Sequence, residues 1–185
     1  MNLQKKVRNN SGTGNIRNRI TIALLIIYLV ALTWILLFKL GVQFSYMQHR
    51  SVNLVPFSTP VILNGKADAG EIILNVVVFI PLGIYAGVLF DGWNFGRKLF
   101  FFFLVSLIIE TFQFAFAVGA FDSTDIITNT FGGIVGLLIY IAIEKALNNR
   151  GKAQKFINVI ASIATVLMIV LLLLLKLNML PVRYQ

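Results

Sequence analysis

The chain predicts an all-α fold, a polytopic bundle of five membrane-spanning helices with a cytoplasmic N-terminus, and three observations carry that expectation. Of its 185 residues, 58% are hydrophobic and only 12% charged, with a mean hydropathy of +0.85. A soluble domain cannot bury so much apolar surface. The apolar residues fall into five stretches, each near the roughly 20 residues that a helix needs to cross a bilayer: Ile20–Phe38, Ile72–Phe90, Leu99–Val118, Ile126–Ile143 and Phe156–Leu175. The basic residues, which bring the net charge to +9, gather at the flanks of these stretches.

Those flanks set the expected orientation. With the N-terminus inside, Lys5, Lys6, Arg8, Arg17, Arg19, Arg97, Lys98, Lys145, Arg150, Lys152 and Lys155 are cytoplasmic, whereas Lys39, Arg50, Lys66, Lys176 and Arg183 lie outside. The positive-inside rule favours this arrangement over its inverse. Because the positive charge is accounted for at membrane flanks, nucleic acid is not an expected partner. Complete absence of cysteine excludes disulfides, thiolate metal sites and cysteine nucleophiles. With His49 as the single histidine, a multi-histidine metal site is excluded too.

Along the chain, residues 1–19 read as a flexible, basic cytoplasmic arm. The first span has an apolar run too long for a signal peptide and no small-residue cleavage site after it, so it reads as an uncleaved anchor. The segment from Gly41 to Glu71 contains Pro56 and Pro60, which argue against a continuous helix. It reads as an extended or re-entrant segment at the outer surface. Short loops at Asp91–Lys98 and Gly119–Asp125 make the second, third and fourth spans antiparallel neighbours. Gly83 and Gly87 on the second span, and Gly132 and Gly136 on the fourth, have the four-residue spacing that lets helix backbones approach closely in lipid. Pro81 interrupts the hydrogen-bond ladder of the second span. Phe100 to Phe103 read as lipid-facing bulk. Residues 144–185 read as a cytoplasmic linker, the fifth span and a short outer tail.

Polar residues at membrane depth require a reason, and residues 110–136 concentrate them. Ser106, Glu110 and Gln113 follow i, i+4, i+7 spacing and share a helix face. In the expected topology Asp122 and Asp125 lie at the outer start of the fourth span, with Asn129 one turn deeper. Asn75 lies near the outer start of the second span, and Arg50 and Asn53 belong to the outer segment. Five elements can thus deliver polar side chains to one end of the bundle.

Each residue has two readings. Asp122 or Asp125 suits a helix N-terminus as a cap, but capping does not explain both, nor Glu110. Asn129 and Asn75 suit interhelical hydrogen bonds as well as ligand contact. Glu110, a carboxyl group near a polar mouth, fits a proton-transfer role, or a structural hydrogen bond to Gln113. The oxygen-rich set has the ligand types of Mg²⁺ or Ca²⁺, although its spacing matches no established metal motif. Ser106, Ser123 and Thr124 lack a base within sequence reach that would make them nucleophiles.

Arg50-Ser51-Val52-Asn53-Leu54-Val55-Pro56-Phe57, Asn75-x5-Pro81-Leu82-Gly83, Glu110-x-x-Gln113 and the run Phe121-Asp122-Ser123-Thr124-Asp125-Ile126-Ile127-Thr128-Asn129-Thr130-Phe131-Gly132-Gly133 together resemble the VanZ-like family. The resemblance covers residues 20–143. It implies a multi-pass protein of the bacterial plasma membrane, Gram-positive in origin and linked to the cell envelope. The family's founding member is associated with resistance to the glycopeptide antibiotic teicoplanin. Many members carry an arginine just before the D-x-x-D motif. Here Gly119-Ala120-Phe121 stands there, which leaves Arg50 to supply an anion contact.

The expected function is engagement of an amphiphilic or lipid-linked envelope molecule by an outward-facing pocket. Glu110, Asp122 and Asp125 are the candidate catalytic groups, and Arg50, Asn53, Asn75, Gln113 and Asn129 the candidate substrate contacts. The alternatives are a non-catalytic binding or scaffold protein and, with less support from five spans without an internal repeat, a proton-coupled transporter.

Overall fold

The computed structural model describes residues 2–38, 52–57, 62–63, 66–67, 70–117 and 119–176. Five helices account for most of them: α1 (Asn2–Phe38), α2 (Gly70–Leu89), α3 (Phe95–Ala115), α4 (Ser123–Leu147) and α5 (Arg150–Lys176). Each contains a segment long and apolar enough to cross a membrane. Four two-residue strands complete the description: β1 (Val52–Asn53), β2 (Ile62–Leu63), β3 (Lys66–Ala67) and β4 (Phe121–Asp122). β1 pairs in parallel with β4, Val52 opposite Phe121 and Asn53 opposite Asp122. β2 pairs antiparallel with β3.

Glycine decides which helices touch. α2 and α4 pack most closely, because Gly83 and Gly136 leave room for backbone. A Cβ on Gly83 would collide with the Gly133 carbonyl oxygen, and one on Gly136 with the Ile80 carbonyl oxygen. In lipid, where apolar burial gives no advantage to association, such close van der Waals contact replaces the hydrophobic drive. The expected glycine faces therefore meet each other. Phe79, Leu82, Phe102, Ile109 and Leu137 fill the core around this seam, with Leu32 of α1 closing it.

Several boundaries differ from the sequence reading. The basic arm is helical from Asn2, continuing α1 rather than forming an irregular tail. α3 starts at Phe95, where the Asn94 side chain accepts from the Arg97 amide, so the loop after α2 is shorter than expected. The segment read as a linker after residue 143 is almost wholly helical. α4 runs to Leu147, Asn148 caps it with φ 48°, and the Asn149 side chain accepts from the Lys152 amide at 3.0 Å as α5 begins. Asparagine tolerates the left-handed conformation that ends a helix; it also caps N-termini well, so a two-residue turn suffices. Of the four phenylalanines read as lipid-facing, Phe102 is instead fully buried. Gly133 opens space for its ring, which a Cβ there would strike.

Antiparallel connections give the bundle two distinct ends. One holds the α2–α3 and α4–α5 turns and the basic residues of α1. There Arg150 pairs with Asp91 and donates to the Val88 carbonyl at 3.0 Å. This contact holds the Asp91 carboxyl below its ordinary range. The other end holds the start of α2, the end of α3, the start of α4 and the β1–β4 pair.

Candidate functional site

The β1–β4 end is built outward from α3. Ser106, Glu110 and Gln113 are all buried on one face, Glu110 to 1% exposure. Glu110 Oε2 accepts a hydrogen bond from the backbone amide of Asp122 at 3.0 Å. A carboxyl group from inside the bundle therefore anchors the residue that opens α4. Gln113 lies one turn further on, under the loop, with Gly119 packed against its side chain.

Asp122 serves three elements at once. It is the N-cap of α4, with Oδ1 accepting from the Thr124 amide at 2.7 Å, the ordinary use of an aspartate at this position. Its Oδ2 accepts from Asn53 Nδ2 at 3.1 Å, tying the β1 segment to the helix start. Asn53 Oδ1 accepts in turn from the Val55 amide at 3.2 Å, a local turn that asparagine favours. Just beyond Pro56, the amide of Phe57, a residue with φ 58°, donates to Thr124 Oγ1 at 3.0 Å. Within the segment read as extended or re-entrant, residues 52–57 form a strand and turn laid across the start of α4.

Asp125 is used differently. It stands in the first turn of α4, and its Oδ1 accepts from Asn75 Nδ2 of α2 at 2.8 Å. One turn deeper, Asn129 is 1% exposed and donates through Nδ2 to Ser106 Oγ of α3 at 3.0 Å. Its Oδ1 is buried with no hydrogen-bond donor. The two aspartates therefore divide the work: Asp122 caps and tethers, and Asp125 links α4 to α2.

The structure brings Asn53, Asn75, Glu110, Gln113, Asp122, Asp125 and Asn129 to this one end. Arg50 and His49 lie outside the described residues. Among the described residues no three histidine, aspartate or glutamate side chains gather as metal ligands. Thr124 was missed as a member of the cluster. Its signal was its place directly after the cap position, where a hydroxyl can accept from a segment crossing the helix start.

A second polar cluster, which the sequence reading did not anticipate, joins α1 to α5 at the basic end. The Thr21 hydroxyl lies 2.9 Å from both Asn158 Oδ1 and the Arg17 carbonyl oxygen. It accepts from Gln154 Nε2 at 3.0 Å, and Gln154 also donates to Asn18 Oδ1 at 2.8 Å. The Arg17 guanidinium donates to the Gly151 carbonyl at 3.2 Å. Its signal was the pairing of Thr21 with Gln154 and Asn158, polar residues spaced four apart on the fifth span.

Fold and cluster together define a polytopic helical membrane protein with an acid and carboxamide cluster at one end of its bundle. The family model described as VanZ/LLP1 matches residues 25–144, and the chain belongs to that family. It is 41% identical over 154 residues to a relative named "Protein VanZ" from Enterococcus faecium, covering 81% of this chain and 88% of the relative. No solved structure matches.

Proposed function

We propose that this protein is a multi-pass plasma-membrane protein of the cell envelope whose β1–β4 end engages an amphiphilic or lipid-linked envelope molecule, as a contribution to teicoplanin resistance. The observation that carries the reading is the convergence at one end of Glu110, Asp122, Asp125 and four carboxamides from separate segments, with Glu110 and Asn129 each 1% exposed. Acids at this depth are unfavourable unless they are used. Kinship to the relative named VanZ supports the envelope role. The excess of basic residues at the opposite end supports an outward-facing cluster.

In this reading Glu110 and Gln113 form the floor, and Asp122, Asp125 and Asn129 the rim. Arg50, on the segment before β1, pairs with an anionic headgroup. Glu110 is the group suited to proton transfer if the bound molecule is converted. A divalent cation held by the rim carboxylates would bridge to a phosphate headgroup.

One observation favours a second, non-catalytic reading: Glu110, Asp122 and Asp125 each accept a hydrogen bond from another part of the chain, as scaffold elements would. Susceptibility to teicoplanin and vancomycin in a sensitive Gram-positive host separates the two. The host expresses wild type, Glu110→Gln or Asp125→Asn, and membrane abundance is measured alongside. Selective protection by wild type, lost in equally abundant variants, is the expected result. Loss of protection only in proportion to abundance supports the scaffold reading. An abundant wild type that gives no protection overturns the resistance role.

A further inference from the structure

At the basic end, away from the acid cluster, α1 and α5 leave between them a crevice of about 650 Å³. Its chemistry changes with depth. Arg17 and Lys155 line its part nearer the basic end of the bundle. Ile20, Val159 and Ile163 continue it toward the bundle middle, and these three are 44%, 51% and 57% exposed. On α5 the stripe Lys155–Val159–Ile163 follows i, i+4, i+8 spacing, so a cation and two apolar side chains share one face. At 1.5 Å per residue this stripe runs about 12 Å along the helix.

From this layout we infer that the α1–α5 crevice binds an anionic phospholipid, its phosphate between Arg17 and Lys155 and an acyl chain along Ile20, Val159 and Ile163. Charge complementarity identifies the occupant. Residues 16–20, 91–98 and 144–155 carry eight lysines and arginines against only Asp91 and Glu144, and Asp91 is already paired with Arg150. Lys155 has no acidic partner among the described residues. Half-buried Arg17 gives one donor to the Gly151 carbonyl and, among the described residues, pairs with no acid. The other polar groups of the crevice are occupied: Ser162 donates to the Asn158 carbonyl at 2.7 Å, and Asn158 bonds to Thr21. Basic pockets between membrane helices are suited to anionic headgroups. The apolar lower half distinguishes a lipid from a soluble phosphate.

Native mass spectrometry of the purified full-length protein tests this, titrating phosphatidylglycerol, phosphatidylcholine of the same acyl chains, and glycerol phosphate. The expected result is selective retention of phosphatidylglycerol. Lys155→Gln should weaken it about five-fold and Arg17→Gln with Lys155→Gln about 25-fold, roughly the effect of one surface charge each. Arg97→Gln with Lys98→Gln removes the same charge from the same end and should leave retention unchanged. Equal retention of the two lipids overturns the inference. So does an equal loss in the Arg97/Lys98 variant, or binding of glycerol phosphate as strong as that of the lipid. Should Arg17→Gln fail to fold, Lys155→Glu decides alone, since the exposed Lys155 side chain makes no hydrogen bond or ion pair among the described residues; undiminished retention in that variant overturns the site.

Discussion

At one end of the bundle α2, α3 and α4 gather Glu110, Asp122 and Asp125 with their carboxamide partners; at the other, Arg17, Asn18, Thr21, Gln154 and Asn158 join α1 to α5 with no acid among them. Both sets hold helices together by hydrogen bonds between side chains. The second shows that amide and hydroxyl groups with one arginine are sufficient for that purpose. The first places one buried carboxyl group, Glu110, and two half-buried ones, Asp122 and Asp125, where neutral groups would serve. The family match covers residues 25–144, which contain every member of the acid cluster and none of the amide cluster. The matched range takes in the second half of α1, α2, α3, the strand pair and most of α4, and leaves out α5.

The seam beneath the acid cluster offers the largest effect. Gly136→Val would place side-chain carbons on the Ile80 carbonyl, and backbone cannot give way as a flexible side chain can. Overpacking of this kind destabilises by about 1–3 kcal/mol or more. The variant is expected to be nearly absent from membranes, as read by immunoblot and by the melting temperature of any purified remainder. Normal abundance would mean that α2 and α4 are not the rigid unit of the fold.

A matched pair of deletions sharpens the contrast between the ends. Glu110→Ala leaves the Asp122 amide without its buried acceptor, an effect of about 1–3 kcal/mol, whereas Asn158→Ala removes interhelical bonds worth about 0.6 kcal/mol each. Unfolding in detergent should therefore rank Glu110→Ala well below Asn158→Ala, and only the former should loosen β1 in hydrogen exchange. Equal stability of the two variants would remove the distinction between a structural attachment and a site-forming anchor.

The smallest effect belongs to the Asp91–Arg150 pair at the basic end. The arginine's hydrogen bond lowers the folded-state pKa of Asp91, so its contribution is present above the unfolded value near 3.8 and is lost as pH falls through the lowered one. Asp91 is 73% exposed, and exposed pairs contribute little. Asp91→Asn should lower the melting temperature slightly at pH 7 and not at all below the folded-state pKa. A pH-independent difference would show that the carboxylate charge plays no part.

Residue type and spacing made the spans and the glycine faces legible, because lipid imposes a length on each apolar run and permits close approach only at small residues. They also placed Glu110, Asp122, Asp125, Asn75 and Asn129 at related depths, since alternating helix direction follows from short loops. Partners were less legible. That Asp122 caps while Asp125 reaches Asn75 depends on where α4 begins, and a D-x-x-D pair before an apolar run admits either start. The α1–α5 cluster was overlooked because Thr21 lies more than 130 residues from both Gln154 and Asn158 in the chain, and nothing near Thr21 marks them as its neighbours.

By itself the sequence determined a membrane bundle of five helices, its close-packing faces and the chemistry available at its ends. These follow from composition and periodicity, which act within one helix at a time. Only the tertiary structure decided which acid anchors the loop, which one links α4 to α2, and that a strand pair lies across them. Those outcomes depend on hydrogen bonds between distant segments, whose geometry exists only once the helices have packed.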